Sequence, residues 1–266
     1  MTTAGPRLCG VIHLPPLPGS PRCSAGAKAS AELAARDAEV LAEAGFDAVM
    51  VENFGDAPFF PERAPAVTVA AMTRCALAVR AAAPELVLGI NVLRNDAEAA
   101  LAVAAASEAA MVRINVHAGA RLTDQGVVRG RAHETLRLRR SLGLEHVTLW
   151  CDVDVKHAAP LAPRPIAEEA TELVGRALAD AVLVTGHGTG AEADRTDLDA
   201  VLAAVEAPVY VASGVTVASL PGLLSGRQRP HGVIVGSCLR ASGRAGEPID
   251  QARARAFAEA FEALRS

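Results

Sequence analysis

One lysine in this chain lies among carboxylates in a pattern typical of acid–base chemistry. In the segment WCDVDVKH, residues 150–157, the side chains of Asp152, Asp154 and Lys156 are spaced two apart. Side chains two apart on a strand point the same way, so the three are predicted to share a face. A polar triplet on a buried strand is costly unless it pairs or acts on a ligand. A partly desolvated lysine near carboxylates can form an imine, donate a proton or stabilise an enolate; the structural alternative is a salt bridge from Lys156 to either aspartate.

Other polar residues end β-branched runs in the same way. Glu52 closes the run in DAVMVENF and is predicted to be a general base or acid opposite Lys156, or else a buried partner of Arg113. His13 ends the first run and is predicted either to take part in catalysis or to pack as a hydrogen-bonded group. The predicted catalytic residues are Glu52, Asp152, Lys156 and His13, and those predicted to orient substrate hydroxyl and carbonyl groups are Asn53, Asn91, Arg113, Asn115, His117 and Thr185.

Two turns of small residues follow the last two runs. The first contains Ser213 and Gly214, and the second contains Gly236 and Ser237. Glycine lets backbone N–H groups approach phosphate oxygens, and barrels commonly bind phosphate after their seventh and eighth strands. We therefore predict a phosphate site, the alternative being two tight turns without a ligand. The segment TGHGTG, residues 185–190, is predicted to be a wall or lid of the pocket, or a surface loop, and His187 fits either prediction.

The chain lacks the common motifs for a nucleotide cofactor or a metal ion. It contains neither a Rossmann fingerprint nor a Walker sequence. His13, His117, Asp152 and His157 are candidate metal ligands, but no H-x-x-x-H or H-x-H spacing supports them. The sequence therefore predicts chemistry without a metal or other cofactor.

Eight β-branched runs, each followed by an alanine- and leucine-rich helical segment, are predicted to position these residues. The runs are residues 8–13, 48–53, 86–92, 111–115, 147–155, 181–185, 209–213 and 232–236. The helical segments are residues 30–43, 66–82, 96–106, 131–142, 166–179, 197–205, 217–224 and 249–264. This alternation predicts an α/β fold, a single (β/α)8 TIM barrel over residues 1–266, with its site at the C-terminal ends of the strands. Residues 54–65, 116–130, 156–165 and 186–195 are predicted to be loops on that face.

Composition limits the class of protein further. A net charge of −4 over 266 residues gives no general attraction for nucleic acid or an anionic membrane, so phosphate must be bound locally. No apolar stretch approaches the roughly 18 to 20 residues that cross a bilayer, and no secretory signal is recognisable, which predicts a cytoplasmic protein. The five cysteines lack a paired spacing and are predicted to be reduced packing residues. The alanine-rich helices, particularly residues 66–82, predict a homo-oligomer.

The segments that carry these residues resemble a known family. GVIHLPPLPGSP, DAVMVENFGDAPF, GINVLRNDAEAALAVA, VRINVHAGARLTDQGVVRGRAHETLRLRR, CDVDVKHAAPL, GTGAEADRTDL and ASGVT with GVIVGSCLR together resemble the BtpA/SgcQ family, from about residue 8 to the C-terminus. The resemblance implies a barrel of the ribulose-phosphate-binding type with its site at the same place. The family name, taken from a photosynthetic member, implies a part in photosystem I biogenesis. His187 departs from the small residue expected at its position.

These observations lead to three hypotheses of function. The first is an isomerase, epimerase or lyase acting on a small phosphorylated sugar or nucleoside-derived metabolite, with Glu52, Asp152 and Lys156 transferring protons. The second is a hydrolase, in which two of the carboxylates act as acid and base around a water molecule. The third is a non-catalytic assembly or stability factor for a membrane complex such as photosystem I, which requires an exposed apolar patch of roughly several hundred Å².

Overall fold

The computed structural model describes residues 7–186, 193–225 and 228–265. The strands in this part of the chain are Arg7–His13 (β1), Ala48–Glu52 (β2), Val87–Asn91 (β3), Met111–Ile114 (β4), Ala120–Thr123 (β5), Gly126–Arg129 (β6), Thr148–Asp154 (β7), Ala158–Pro160 (β8), Ala181–Val184 (β9), Val209–Val211 (β10) and Gly232–Val235 (β11). The α-helices are Ala27–Ala44 (α1), Ala66–Ala82 (α2), Ala97–Ser107 (α3), Ala132–Ser141 (α4), Ile166–Gly175 (α5), Arg195–Ala204 (α6), Leu220–Leu224 (α7) and Gln251–Arg265 (α8). Two short 3₁₀ helices, Phe54–Asp56 and Ser237–Leu239, follow β2 and β11.

Eight of the strands close into a parallel barrel in the order β1, β11, β10, β9, β7, β4, β3, β2. A helix follows each of these strands along the chain, so the predicted (β/α)8 TIM barrel is confirmed. Most strands end one or two residues before the predicted run does. His13, Glu52 and Asn91 are the last residues of their strands, whereas Asn53, Asn115 and Thr185 enter the loops at the C-terminal face.

Two helices are shorter than predicted because local hydrogen bonds replace their outer turns. Helix α5 ends at Gly175, and the N–H groups of Ala177 and Ala179 bond back to the carbonyls of Glu172 and Leu173. The seventh helix begins at Leu220 instead of residue 217. Its first predicted turn is occupied by Thr216 and Ser219, whose side chains and backbones bond to each other.

The barrel interior is filled along the N-terminal part of the strands. Trp150 and Tyr210 stack there with their ring centroids 4.1 Å apart. Gly89 makes room for this packing, since a Cβ atom at that position would lie 2.7 Å from Cγ of Met111. The other buried side chains of this cluster include Cys9, Val11, Met50, Leu183 and Ile234. A packed interior leaves space for a ligand only beyond these layers, toward the C-terminal ends of the strands.

Three short strands lie outside the barrel, where the sequence predicts only loops. β5, β6 and β8 form an antiparallel sheet in the order β6, β5, β8. The turn between β5 and β6 contains Gly126, whose φ of +92° is favourable for glycine. The prediction of structureless loops is wrong at residues 116–130 and 156–165, because strands of three or four residues are too short to show a recognisable alternation.

Two predictions drawn from composition can be compared with the structure. None of the helices in residues 7–186, 193–225 and 228–265 is long and apolar enough to span a membrane. All five cysteines are free, and Cys9, Cys75 and Cys151 are buried, which fits their predicted role in packing.

Candidate active site

A small open cavity, the inner cavity, lies at the C-terminal ends of the barrel strands. The turns after β10 and β11 line it with residues 212–215 and 236–238. Side chains from β1, β2, β4 and the loop after β7 also line it: His13, Glu52, Arg113 and Lys156. The fold therefore brings the predicted phosphate-binding turns and three of the predicted catalytic side chains to one cavity.

A second cavity of about 1750 Å³, the outer cavity, adjoins the first. Glu52 and Lys156 line both cavities, so they lie at the boundary between the two. The apolar part of the outer wall consists of Leu14, Pro15, Pro16, Phe54, Ala57, Phe59 and Leu93, and its arginines are Arg22, Arg94 and Arg244. A ligand that extends from one cavity into the other must pass beside Glu52 and Lys156.

The two turns present backbone N–H groups to the inner cavity. Gly214 has a φ of +65°, a conformation that favours glycine. At Gly236 a Cβ atom would lie 2.8 Å from Cε1 of His13, so only glycine fits there without a shift. Within the described ranges, the N–H groups of Gly214, Gly236 and Ser237 donate to no protein acceptor. Free N–H groups on permissive backbone are the features that a phosphate oxygen requires.

Arg240 supports the second turn from behind and was missed by the sequence analysis. It is fully buried, and it donates hydrogen bonds to the carbonyls of Gly236 at 2.5 Å, Val11 at 2.8 Å and Glu247 at 3.1 Å. Burial lowers the pKa of this guanidinium from its ordinary value. Arg240 lies three positions past Ser237, so it is not among the residues at the strand ends from which the functional residues were predicted.

His13 lies between the carboxylate of Glu52 and the second turn. Its Nε2 atom is 3.9 Å from Oε1 of Glu52, and its ring centroid is 4.7 Å from that of Phe54. Its Nδ1 atom is buried and has no hydrogen-bond partner among the described residues. Burial, followed by the nearby charges of Arg240 and Lys156, lowers the pKa of His13 well below the usual 6.5. The imidazole is therefore neutral, and its Nδ1 atom is sealed from solvent.

This neutral imidazole leads to a prediction about stability and pH. Below pH 6.5 the unfolded chain protonates His13 while the folded chain does not, so the free energy of unfolding falls as the pH is lowered through that window. The slope from this residue is at most about 1.4 kcal/mol per pH unit. Urea denaturation between about pH 7 and pH 5 should show a weaker pH dependence in His13→Gln. The exposed His133→Gln is the control, and an unchanged slope in His13→Gln would contradict the assignment.

Asp152 is engaged by the protein itself. Its carboxylate accepts hydrogen bonds from Arg113 at 2.9 Å and from Asn115 at 2.6 Å, and the side chain is fully buried. Asn91 extends the network by donating to Oδ1 of Asn115 at 3.2 Å. The partner of Arg113 is thus Asp152 and not Glu52. Asp152 does not line the inner cavity, and its part in proton transfer stays a prediction.

Asp154 does not share a face with Asp152 and Lys156, and that prediction is wrong. The register of β7 against β9 shifts between Asp152 and Asp154, which interrupts the alternation of the strand. Asp154 instead lies 3.4 Å from Arg121 of β5. Arg121 also pairs with Glu169 of α5. The salt bridge considered between Lys156 and either aspartate is absent from the described residues, because both carboxylates have arginine partners.

Lys156 projects into the cavity without an ion pair. No carboxylate in the described ranges lies within 4.0 Å of its ammonium group. Burial lowers the pKa of Lys156 from its ordinary 10.5, and the charge of Glu52 opposes this effect. Its backbone carbonyl accepts a hydrogen bond from Arg94 at 2.7 Å. Arg94 is a second cationic residue that sequence reasoning missed, since it follows β3 by three positions and carries no motif of its own.

Of the six predicted substrate-binding residues, Arg113 lines the inner cavity and Asn115 lines the outer one, whereas Asn53, Asn91, His117 and Thr185 line neither. Asn53 bonds to Asp56 and to the N–H of Leu93, which fixes the loop after β2. The Nε2 atom of His117 is 2.9 Å from the carbonyl of Ala177, so its ring is directed toward the segment that follows α5. Thr185 donates to the carbonyl of Asp154 at 2.7 Å. The structure assigns contacts within the protein to all three side chains, and none of them lines either cavity.

The alternative of a metal site has no support in the described ranges. No group of three or more histidine, cysteine or carboxylate side chains is placed there to hold a metal ion. His117 is directed to Ala177, and Asp152 is occupied by Arg113, so two of the four candidate ligands have other partners. His187 and the predicted lid of residues 187–190 lie outside the described residues.

The fold and the cavity together define a (β/α)8 barrel whose ligand space lies at the C-terminal ends of its strands. The chain belongs to the BtpA family, whose model matches residues 5–263. The resemblance seen in the sequence is therefore confirmed. The photosystem I biogenesis protein BtpA of Synechocystis sp. is 42% identical over 261 residues, which cover 97% of this chain and 88% of that protein. An uncharacterised protein of Thermococcus kodakarensis is 42% identical over 258 residues, covering 97% and 96% of the two chains.

Solved structures with a similar fold are enzymes of the same barrel class. Mycobacterium tuberculosis tryptophan synthase aligns with a TM-score of 0.63 and 17% identity, covering 99% of this chain and 93% of that one. N-(5'-phosphoribosyl)anthranilate isomerase from Pyrococcus furiosus gives a TM-score of 0.58 at 14% identity, with coverage of 97% and 99%. (S)-3-O-geranylgeranylglyceryl phosphate synthase from Thermoplasma acidophilum gives 0.57 at 16%, with coverage of 98% and 95%. At these identities the likeness shows the fold alone.

Proposed function

We propose that this chain is an enzyme that moves a proton at a carbon next to a carbonyl in a small phosphorylated sugar or nucleoside-derived metabolite. Its reaction would be that of an isomerase, an epimerase or a lyase. The observation that carries the proposal is that Glu52 and Lys156 line the same cavity as the N–H groups of Gly214, Gly236 and Ser237. A phosphate held by these turns directs the rest of its sugar toward the two ionisable side chains.

The proposed chemistry divides the work between these groups. The carboxylate of Glu52 removes the proton from carbon, and the ammonium group of Lys156 stabilises the negative charge that develops on the carbonyl oxygen. The neutral His13 lines the inner cavity beside Glu52 and adds no positive charge that would pair with its carboxylate. Asp152 holds Arg113, and Arg113 lines the inner cavity with its position fixed. Returning the proton to the same or a neighbouring carbon gives epimerisation or isomerisation.

The contacts that the carboxylates make favour proton transfer at carbon over hydrolysis as the reaction. Hydrolysis through an acid and a base requires two carboxyl groups that face the reacting bond. Asp152 is held by Arg113 and Asn115, and Asp154 is paired with Arg121. Glu52 is the one carboxylate of the described residues that lines the inner cavity. Incorporation of oxygen-18 from solvent into product would instead identify a hydrolase.

Similar proteins add support for a phosphorylated substrate. The structurally similar proteins include an isomerase of a phosphoribosyl compound and a synthase solved in complex with sn-glycerol-1-phosphate. The phosphorylated compounds named are those of the two proteins, which are 14% and 16% identical to this chain.

A second candidate function is docking to another protein, as the name of the Synechocystis relative suggests. The outer sheet carries exposed apolar side chains, since Leu122 and Val127 are cross-strand neighbours with 51% and 44% of their surface accessible. Leu161, which follows β8, is 59% exposed. If docking is the biological role, polar substitutions at Leu122 and Val127 will abolish it while Glu52→Gln leaves it intact.

Replacing Gly236 by alanine tests the proposed phosphate site. The added Cβ atom meets Cε1 of His13 at 2.8 Å, so the turn must shift and its N–H groups lose their alignment. We expect the affinity for D-ribose 5-phosphate, measured by isothermal titration calorimetry, to fall at least about tenfold, as for the loss of one hydrogen bond to a charged group. Gly175→Ala is the control, because nothing lies within 4 Å of a Cβ atom there. Equal affinity in Gly236→Ala and the wild type would contradict the phosphate site.

A further inference from the structure

Arg94 is a buried cation with incomplete pairing. The residue is only 6% exposed, yet no carboxylate of the described residues lies within 4.0 Å of its guanidinium. Its Nη2 atom donates to the carbonyl of Lys156 at 2.7 Å. Its Nε and Nη1 atoms donate hydrogen bonds to no described residue, and both are accessible to solvent. Since Arg94 lines the outer cavity, these donors are available to a ligand there.

The other buried arginines near the C-terminal ends of the strands have hydrogen-bond partners within the protein. Arg113 is paired with Asp152, and Arg121 with Asp154 and Glu169. Arg240 uses all three of its nitrogen atoms on backbone carbonyls. A buried charge without a partner is costly, and such a site becomes favourable when a ligand supplies the opposite charge.

The lining of the outer cavity carries one more positive than negative side chain: Arg22, Arg94, Lys156 and Arg244 against Glu52, Asp124 and Glu247. Lys156 lies beside Arg94, also without an ion pair. Arg22 adds a further cation at the exposed rim, whereas Arg244 is neutralised by Glu247 at 3.4 Å. Planar guanidinium groups bind carboxylate and phosphate through two parallel hydrogen bonds, for which Nε and a terminal nitrogen are suited.

We propose that Arg94 binds a second anionic group of the substrate, a carboxylate or a second phosphate, in the outer cavity. The inference rests on the proposed function and defines its substrate class: a phosphorylated sugar with anionic groups at both ends. Glu52 and Lys156 lie at the boundary of the two cavities, so the reacting carbon lies between the two anions. Arg94 then acts as a specificity-determining residue, because it selects ligands by the charge at the end remote from the phosphate turns.

The test compares three probes on the purified wild-type protein and on Arg94→Gln by calorimetry. D-ribose 5-phosphate carries one anionic group, D-ribulose 1,5-bisphosphate carries two phosphates, and 6-phospho-D-gluconate carries a phosphate and a carboxylate. We expect at least one of the two-anion probes to bind the wild type at least about tenfold more tightly than ribose 5-phosphate. The better of the two identifies whether the second group is phosphate or carboxylate. Arg94→Gln should lose this preference and keep its affinity for ribose 5-phosphate.

Two further variants test whether the preference for two-anion probes comes from binding by Arg94 itself and not from a general effect of charge or of folding. Arg22→Gln removes a positive charge from the rim of the same cavity and should retain the preference. Arg94→Lys keeps the charge and should recover part of it. The inference is overturned if neither two-anion probe binds the wild type more tightly than ribose 5-phosphate, or if Arg94→Gln weakens all three probes equally. A different result is expected if the turns after β10 and β11 do not bind phosphate. In that case Gly236→Ala binds ribose 5-phosphate with the wild-type affinity.

Discussion

Glu52→Gln and Lys156→Met are each expected to lower the rate of proton exchange at the substrate carbon by about a hundred- to ten-thousandfold. Glutamine keeps the shape of Glu52 but removes the base. Methionine keeps most of the length of Lys156 but removes the charge that stabilises the enolate oxygen. Both residues line the boundary between the cavities, and no carboxylate of the described residues engages the ammonium group of Lys156 within 4.0 Å. Within the described residues, Lys156 has no ion pair and Glu52 contacts the neutral His13 at 3.9 Å.

Solvent deuterium exchange provides the measurement. Incubating phosphorylated sugars with the protein in D₂O and following the loss of the C–H signal by NMR reports proton transfer without knowledge of the final product. The sequence contains one other lysine, Lys28, which is exposed and pairs with Glu32. Lys28→Met is therefore a matched control and should exchange at the wild-type rate. The assignment of roles would be wrong if Glu52→Gln and Lys156→Met both kept that rate on a substrate that the wild type exchanges.

Asp152→Ala is expected to destabilise the folded chain by about 3–5 kcal/mol, because it leaves the guanidinium of Arg113 buried and unpaired. Arg113 is 3% exposed at its side chain and Asp152 is fully buried, so water cannot replace the lost carboxylate. The hydrogen bond from Asn115 to Asp152 is lost as well. Urea denaturation followed by circular dichroism gives the free energy of unfolding.

An exposed ion pair supplies the comparison for this experiment. Arg164 and Glu172 lie 2.8 Å apart, and both side chains are at least 40% accessible. Glu172→Ala should lower the free energy of unfolding far less than Asp152→Ala, since solvent screens the remaining charge. Equal decreases in the free energy of unfolding in Asp152→Ala and Glu172→Ala would show that burial of the Arg113–Asp152 pair does not determine how much the pair stabilises the fold.

The barrel, and the edge at which the candidate site lies, were predictable because they depend on patterns that burial imposes on the chain. Parallel strands covered on both faces read as β-branched runs, and the polar residues that follow them mark one edge of the barrel. That edge brings Glu52 and Lys156 to the same cavity as Gly214 and Gly236, although the residues are far apart in sequence. The turns after β10 and β11 were recognisable for the same reason, since small residues follow both strands.

The directions of side chains beyond the strand ends could not be predicted, because side chains alternate regularly only within a strand. The register shift after Asp152 turns Asp154 toward Arg121, and the loop after β4 directs His117 to the carbonyl of Ala177. Arg94 was missed because it lies three residues past β3, where the period of a strand no longer applies. Contacts of this kind depend on loop geometry, and loop geometry is set by the tertiary structure.

The most direct test of the central claim is a crystal structure of the protein with D-ribose 5-phosphate bound. Phosphate oxygens are expected to accept hydrogen bonds from the backbone N–H groups of Gly214, Gly236 and Ser237. The carbonyl end of the sugar is expected to lie between Glu52 and Lys156. A phosphate bound elsewhere, with these N–H groups exposed to solvent, or a sugar out of reach of both side chains, would contradict the proposed function.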